Sequence, residues 1–235
     1  MSVAALVLAA GRGERLGLRV PKAFAPLAGR PLLLHALAAM AAVPAIERVV
    51  PVIARADLER WERLGPELAA IPKLTAPAFG GAERQDSVRA GLGVLGPDTR
   101  WVAVHDAARP FVRPPAVARV LEAARASGAA ILAVPVSDTI KRVRAGRVVE
   151  TPPRPECWAA QTPQVFRVEL LREALAKASA EGRTATDDAQ LVEWLGVAVA
   201  VVEGDPDNWK LTHPEDLAAA ERWLTARDQP GGRGR

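Results

Sequence analysis

The sequence predicts an α/β fold in which a mostly parallel sheet carries helices on both faces and a projecting β-hairpin arm. Three observations predict it. Strand-like and helix-like segments alternate over residues 2–136, a glycine-rich turn directly follows the first strand, and a polar, proline-rich segment then interrupts the alternation. Alternating strands and helices favour a parallel sheet, since each helix returns the chain to the same end of the sheet. The predicted architecture is therefore Rossmann-like.

Composition limits the domain count and the classes of partner. A chain of 235 residues with 49% hydrophobic residues suits one α/β domain, which we predict at residues 1–227, followed by a disordered tail at 228–235. The net charge of +4 comes without a dense basic stripe, so no nucleic-acid partner is expected. No stretch approaches the roughly 20 apolar residues of a membrane span. The single cysteine, Cys157, suits a reducing cytoplasm.

The first part of the chain supplies four predicted strands and four predicted helices. The strands are expected at 2–10, 47–53, 101–106 and 129–136, and the helices at 31–40, 55–64, 83–95 and 114–127. Pro31 and Pro114 are acceptable in a first helical turn, because the N–H groups there have no intrahelical partner. These elements predict the parallel sheet.

The later part of the chain breaks this pattern. Residues 138–155 are largely polar and predict a hairpin that turns at Ala145 and Gly146 and projects as an arm. Helices are expected at 168–178, near 187–195 and from Pro214, with a strand at 197–203. Thr212 and Glu215 have the spacing of a capping box for the last helix.

The loop after the first strand predicts a nucleotide site. Small residues allow the backbone to approach phosphate closely, and they stand at Ala9, Ala10, Gly11 and Gly13. Leu16 occupies the third glycine position of the dinucleotide pattern, and no Gly-Lys-Ser/Thr follows. Arg15 and Lys22 add positive charge suited to a triphosphate. The loop therefore indicates a nucleoside triphosphate rather than a dinucleotide.

Further segments carry a family resemblance. They occur in the order GGAERQDSVRAGL (80–92), VHDAARP (104–110), PVSDTIK (135–141), AQTPQVF (160–166), TDDA (186–189) and DNWKLTHPEDL (207–217). Together they resemble the 2-C-methyl-D-erythritol 4-phosphate cytidylyltransferase family of the non-mevalonate isoprenoid pathway. The resemblance implies CTP and a phosphorylated polyol as substrates, and Mg²⁺ or another divalent cation as cofactor.

The resemblance also assigns residues to the nucleotide and to catalysis. It implies cytosine binding by Ala9, Gly80, Gly81 and Ser87 beside the glycine loop. Asp106, at the carboxyl end of a predicted parallel strand, is implied as the metal ligand near both substrates. Asp207 is a weaker second candidate for the metal. The implied catalytic residues are Arg15, Lys22, Arg154 and Lys210.

The implied acceptor site involves a second subunit. The family's arm crosses to its partner, so Thr139 and Arg154 are expected to complete the neighbour's site in a homodimer. Within the same chain the resemblance implies Arg109, Thr162, Thr186 and Lys210 as further acceptor ligands. Asp187 and Asp188 can equally begin a helix, where negative charge is favourable.

Two alternatives remain open on the residues alone. A cytidylyltransferase acting on ribitol 5-phosphate would need a similar site, since both acceptors are short phosphorylated polyols. An NAD(P)-binding oxidoreductase domain is the more distant alternative. No histidine is assigned a catalytic role, because a phosphate monoester already carries about −1.5 to −2 charge at pH 7 and can attack without a protein base.

Overall fold

The structure, a computed structural model, describes residues 2–11 and 20–228. Its strands are β1 (Ser2–Ala9), β2 (Pro26–Leu27), β3 (Arg30–Pro31), β4 (Arg48–Ile53), β5 (Ala78–Phe79), β6 (Thr99–Asp106), β7 (Ala129–Pro135), β8 (Arg142–Arg144), β9 (Arg147–Glu150), β10 (Trp158–Arg167) and β11 (Ala200–Glu203). Its helices are α1 (Leu32–Ala41), α2 (Leu58–Arg63), α3 (Gly65–Ala69), α4 (Arg84–Gly93), α5 (Pro114–Ser127), α6 (Val168–Ala180), α7 (Asp188–Glu193) and α8 (Pro214–Asp228). No helix in this part of the chain is long and apolar enough to cross a membrane.

Seven strands form the central sheet in the order β11-β7-β10-β6-β1-β4-β5. All neighbours pair in parallel except β10, which runs antiparallel to both β6 and β7. The chain continues from β1 to β4 on one side, whereas β6 lies on the other side of β1. Open α/β sheets bind ligands at such a switch point, beside the carboxyl ends of the strands. The fold therefore predicts a site next to Ala9 and Asp106.

Alternate residues of β1 enter two hydrophobic cores, one on each face of the sheet. Val3, Ala5 and Val7 pack into the core that includes α1 and α5. Ala4 and Leu6 pack into the core that includes α4 and α6. Because successive strand side chains point to opposite faces, a strand covered on both faces must be apolar throughout. This explains the continuous apolar run that begins the chain.

A third, smaller core fixes α8 against the loops that follow β6 and β11. The Phe111 ring lies 4.4 Å from the Trp223 ring and 4.9 Å from the Trp209 ring, between ring centroids. Leu211 and Ala220 are buried in the same cluster. These contacts place the segment around Lys210 beside the end of β6.

Most predicted elements are confirmed, some with small differences in their ends. α5 spans the predicted residues, and the arm contains the hairpin β8–β9, whose residues are all exposed. Ala145 and Gly146 adopt positive φ angles of 46° and 74°, as a two-residue hairpin turn of type I′ requires. The predicted helix at 55–64 instead begins as a 3₁₀ turn, continues as α2 and is followed by α3.

Strand β10 is the main element that the sequence did not predict. Pro163 cannot donate to a ladder and argues against a central strand. The structure accommodates it because the pairing of β10 with β7 is irregular between Ala160 and Gln164.

The ends of α8 also differ from the sequence-based expectation. The predicted capping box is wrong: Asp216, not Glu215, accepts the N–H groups of Thr212 and His213, at 2.6 and 2.8 Å. α8 also extends to Asp228, the first residue of the predicted tail, and residues 229–235 lie outside the described part of the chain.

Candidate active site

A first cavity of about 250 Å³ opens beside the carboxyl ends of β1 and β6. The sequence-predicted nucleotide residues that line it are Ala9, Ala10, Gly11, Gly81, Ser87 and Asp106. Lys22 and Lys210 line it as well, so two of the predicted cations face the same space. Two other residues predicted for this site, Gly13 and Arg15, lie outside the described residues. The fold thus brings the end of β1, the start of α4 and the end of β6 around one opening.

Gly80 is required by the packing of this wall. A Cβ atom added there would lie 2.5 Å from the Ala10 Cβ and 2.5 Å from the Ser87 Oγ. A Cβ added at Gly81 would lie 2.5 Å from the Asp86 Cβ. The two glycines therefore let the segment between β5 and α4 approach the loop after β1, and any larger residue would move the wall.

Lys22 is presented to the first cavity by a 3₁₀ turn that follows Pro21. The Asp216 carboxylate lies close enough for Lys22 to help lower its pKa. Burial alone would raise this pKa, but the N–H groups of His213 and Thr212 outweigh it. The start of α8 therefore holds a negative charge near the lysine of the first cavity.

A second cavity of about 270 Å³ adjoins the first. It is lined by Arg109, Thr162, Thr186 and Gln161, among others, and shares Arg84, Asp106 and Lys210 with the first cavity. We call these three shared residues the common wall. Five residues predicted for the acceptor thus meet at one place: Asp106, Arg109, Thr162, Thr186 and Lys210.

Two other predicted acceptor residues lie away from both cavities of the same chain. Thr139 and Arg154 are exposed on the arm, and Arg154 Nη1 donates to the Ser137 carbonyl at 3.2 Å. Neither lines the first or the second cavity. Their role in acceptor binding stays a prediction.

Charges within the common wall are paired. Lys210 Nζ lies 2.6 Å from Asp106 Oδ2, and Arg84 Nη2 lies 3.4 Å from Asp106 Oδ1. Burial alone would raise the pKa of Asp106, but Arg84 and then Lys210 hold it well below its ordinary value. Asp106 is therefore ionised over the whole neutral range, as a metal ligand must be.

Arg84 has a second acidic partner. Its Nη1 lies 2.7 Å from Oδ1 of Asp188, whose side chain is fully buried at the start of α7. Burial raises the pKa of Asp188 above its ordinary value. Burial alone would lower the pKa of Arg84, but the charges of Asp188 and Asp106 outweigh it and raise this pKa above its ordinary value. The guanidinium thus bridges two carboxylates.

The Thr162 hydroxyl is used inside the protein. Its Oγ1 accepts the Asp106 N–H at 3.0 Å and lies 3.0 Å from His105 Nδ1. Because His105 Nε2 donates to the Arg109 carbonyl at 3.0 Å, Nδ1 must accept from the hydroxyl. Burial lowers the pKa of His105 to about 4, so the ring is neutral at pH 7. Donation from Thr162 to an acceptor would require the bond to His105 to break.

Arg109 is largely committed to the backbone. Its Nη1 donates to the Asn208 carbonyl at 2.7 Å, and its Nη2 donates to the Ala160 carbonyl at 3.1 Å. Arg109 therefore ties the segment before Lys210 to β10, at the edge of the second cavity.

Asp207, the second metal candidate, lies 2.9 Å from Arg113 and lines neither cavity.

The helix-start interpretation of Asp187 is confirmed. It is the N-cap of α7 and accepts the Gln190 N–H at 3.0 Å. Gln164 Oε1 accepts the N–H groups of Asp188 and Ala189, both at 3.0 Å. β10 thereby fixes the start of α7, and with it Asp188 and the neighbouring Thr186.

Sequence reasoning missed Arg84 and Gln164, and it interpreted Asp188 only as part of a helix start. Arg84 stands in a motif whose glycines and serine carry the sequence-based prediction, and its position at the start of a helix beside the ligand edge was the available signal. Asp188 follows Thr186 closely, but its complete burial could not be read from its neighbours.

One carboxylate is sufficient for a Mg²⁺ site here only if the nucleotide supplies further ligands. Among the described residues there is no cluster of three or more His, Cys, Asp or Glu side chains suited to a metal. Mg²⁺ usually keeps several waters and takes one or two carboxylates together with substrate phosphates. Asp106 would fit such a partial site once Lys210 no longer occupies its Oδ2, because its carboxylate lines the first cavity.

Known proteins resemble this chain over nearly its whole length, including the residues that line both cavities. The family model described as 2-C-methyl-D-erythritol 4-phosphate cytidylyltransferase (IspD) matches residues 3–226. A relative of that name from Pelotomaculum thermopropionicum is 46% identical over 226 residues, covering 96% of this chain and 95% of the relative. The crystal structure of the protein so named from Thermus thermophilus is 40% identical with a TM-score of 0.76, covering 96% of this chain and 100% of that one. The structure of a 4-diphosphocytidyl-2C-methyl-D-erythritol synthase from Anaerococcus prevotii has a TM-score of 0.84 at 29% identity, covering 95% and 98%.

Proposed function

This chain belongs to the 2-C-methyl-D-erythritol 4-phosphate cytidylyltransferase family, and we propose that its two adjoining cavities receive the two substrates of that reaction. The enzyme transfers the cytidylyl group of CTP to 2-C-methyl-D-erythritol 4-phosphate, giving 4-diphosphocytidyl-2-C-methyl-D-erythritol and pyrophosphate in isoprenoid precursor biosynthesis. The predicted family and activity are thereby confirmed.

The common wall is the observation that supports the placement of substrates. The first cavity contains the small residues after β1 and the start of α4, which suit a nucleotide, and it takes CTP. The second cavity takes the polyol phosphate beside Thr186 and Gln161. Because Arg84, Asp106 and Lys210 line both, phosphates entering from either side meet at these residues.

The chemistry needs alignment rather than a protein base. A dianionic phosphate oxygen of the acceptor attacks the α-phosphorus of CTP, the bond to the β-phosphate breaks, and pyrophosphate leaves with that electron pair. The protein must hold two polyanions in line and offset their repulsion. Lys22, facing the first cavity, stabilises charge on the CTP phosphates, and Arg15 is expected to act with it. His105 is neutral and bonded within the protein, which agrees with a mechanism that lacks a histidine base.

Lys210 is the cation placed to receive the acceptor phosphate. It lines both cavities and is 41% exposed, although it is paired with Asp106 in this structure. Acceptor binding therefore exchanges the Lys210 contact with a carboxylate for one with a phosphate. Mg²⁺, held by Asp106 and the CTP phosphates, would neutralise charge on the triphosphate.

The projecting arm supports a homodimer with shared sites. All residues of β8 and β9 are exposed, and Val143, Val148 and Val149 are 56%, 59% and 48% exposed. Val143 and Val148 pair across this otherwise charged hairpin, and exposed apolar side chains at such a position support a contact with another chain. In this proposal Thr139 and Arg154 of each arm complete the second cavity of the partner. The single cysteine supports a cytoplasmic location.

The first experiment is pyrophosphate release from CTP and Mg²⁺ with each of two acceptors. We expect release with 2-C-methyl-D-erythritol 4-phosphate and little with ribitol 5-phosphate. Preference for ribitol 5-phosphate would contradict the acceptor assignment while leaving the cytidylyl transfer intact. No release with either acceptor, from folded protein that binds CTP, would contradict the reaction.

The dimer is tested separately by the molecular mass in solution and by mixing inactive variants. Arg154→Ala and Lys22→Ala protomers should each be inactive alone. Mixed dimers should regain part of the activity, since one of their two sites combines an intact arm with an intact nucleotide cavity. A monomer at micromolar concentration, or mixtures without recovery, would contradict shared sites.

A further inference from the structure

Arg84 forms a bridge between two carboxylates, those of Asp188 and Asp106. Substrate binding alone does not explain why the buried Asp188 is part of this bridge. Asp188 is fully buried and lines neither cavity, yet its carboxylate lies 2.7 Å from an arginine that lines both. Burying a carboxylate is costly unless a charge partner compensates it. The Asp188–Arg84 ion pair lies directly behind the common wall, so we expect its function to lie in the two cavities.

We infer that Arg84 is a positioning residue for the shared carboxylate Asp106 and that Asp188 anchors it. The guanidinium contacts the two acids through different nitrogens, Nη1 to Asp188 and Nη2 to Asp106. Its planar fork can hold both contacts at once, which the point charge of a lysine cannot do in the same geometry. The side chain of Asp106 is thereby fixed between the cavities. This inference rests on the proposed function.

The anchor is rigid at both of its attachments. Asp188 begins α7, and its N–H is bound by Gln164 of the central strand β10. Arg84 begins α4, where Glu83 and Asp86 satisfy each other's backbone N–H groups in a capping box. Since both backbone positions are fixed, the contact with Asp188 can hold the guanidinium in place before any substrate arrives.

The two contact lengths indicate which carboxylate holds the arginine. The distance to Asp188 is 2.7 Å and that to Asp106 is 3.4 Å, so the closer charge pair is with the buried acid, while the longer contact is the one with hydrogen-bond geometry. Asp106 is thus oriented without being fully neutralised by Arg84, and its oxygens remain able to exchange partners. Without Asp188, Arg84 would be free to close onto Asp106.

A direct contact between Arg84 and a substrate phosphate is the competing explanation. It predicts that loss of Asp188, which lines neither cavity, is tolerated as long as Arg84 is present. The bridge predicts that Arg84→Lys keeps the charge but fails, and that Asp188→Asn fails although Arg84 itself is unchanged. The two explanations therefore differ in Asp188→Asn, whereas a phosphate can also prefer arginine to lysine.

The test compares Arg84→Lys, Arg84→Gln and Asp188→Asn with two control variants. Asp57→Asn removes another buried aspartate, one that pairs with Arg60 at 2.9 Å away from both cavities. Arg89→Gln removes another cation of α4, which pairs with Asp86. Thermal unfolding establishes that each variant is folded, calorimetry gives its Kd for CTP without acceptor, and steady-state kinetics gives kcat and both KM values.

We expect kcat to fall about 100-fold in the three bridge variants, because a shift of about 1 Å in a reacting group costs this much. The Kd for CTP should change less than about threefold, and the controls should keep wild-type kinetics even where Asp57→Asn lowers the melting temperature equally. Near-normal kcat in folded Asp188→Asn, or full activity of Arg84→Lys, would overturn the positioning role alone. Wild-type protein without turnover would overturn the proposed function, and the positioning role with it.

Discussion

Replacing Thr162 by Val should destabilise the protein, because the threonine hydroxyl joins two buried groups. The substitution keeps the shape of the side chain but removes the acceptor of the Asp106 N–H and the donor to His105 Nδ1. Thr162, Asp106 and His105 are 5%, 7% and 0% exposed, so water cannot replace the lost bonds without rearrangement. Each buried group left without a partner costs about 1–3 kcal/mol.

The expected loss for the two groups is therefore about 2–6 kcal/mol in the free energy of unfolding. For a chain of this size 1 kcal/mol shifts the melting temperature by about 2–4 °C, so Thr162→Val should melt roughly 4–24 °C lower. Thermal unfolding followed by circular dichroism measures this shift. Thr162→Ser keeps the hydroxyl and should lose much less. Thr225→Val removes an exposed helix hydroxyl and provides the control.

The kinetics of Thr162→Val distinguish the internal role from the acceptor contact implied by the family resemblance. If the hydroxyl holds Asp106, kcat should fall about tenfold or more, since the loop with the shared carboxylate loses its attachment. If the hydroxyl instead binds the acceptor, the acceptor KM should rise while stability stays unchanged. A melting temperature within about 2 °C of wild type would refute the internal role.

Three further perturbations test the wall of the first cavity, the pH dependence of stability and the start of α8. Gly80→Ala should weaken CTP binding in calorimetry and lower the free energy of unfolding by about 1–3 kcal/mol, because its Cβ would lie 2.5 Å from the Ala10 Cβ. Gly93→Ala is the control: a Cβ there meets open space, so neither CTP binding nor stability should change. Burial lowers the pKa of His35 below its unfolded value of 6.5. Its contribution to stability is therefore complete above that pH and declines as the pH falls below it. In urea unfolding, the free energy of unfolding of His35→Gln should fall less steeply with decreasing pH than that of the wild type. Asp216→Ala should destabilise by about 1–2 kcal/mol in the same assay, whereas equal losses from Asp216→Ala and Glu215→Ala would contradict the capping seen here.

Elements with one dominant local signal could be predicted from sequence. The buried run of β1, the proline-started α5 and the Ala145-Gly146 turn each carry enough local information to define an element. The carboxyl ends of parallel strands meet at one edge, so Ala9 and Asp106 are expected to be neighbours. Their meeting at the first cavity follows from topology alone.

Features that depend on long-range pairing could not be predicted. β10 contains Pro163, and only the irregular pairing with β7 shows why a proline is tolerated in the middle of the sheet. Arg84 acquires its importance from Asp188, far along the chain, and local sequence does not indicate that the two meet. The use of the Thr162 hydroxyl was missed for the same reason, since both its partners belong to β6.

The charges of the common wall divide into one cation that can move and one that cannot. The Lys210 side chain is 41% exposed and can exchange Asp106 for an acceptor phosphate at the surface of the cavities, while Arg84 stays beside the buried Asp106 carboxylate. Arg84 is bound to a fully buried carboxylate, and breaking that pair would leave an uncompensated charge in the core. Lys210 is therefore suited to follow the substrate, whereas Arg84 keeps Asp106 in place while its other partner leaves. Alignment of two polyanions needs both properties, a cation that accompanies the incoming phosphate and a carboxylate that stays fixed.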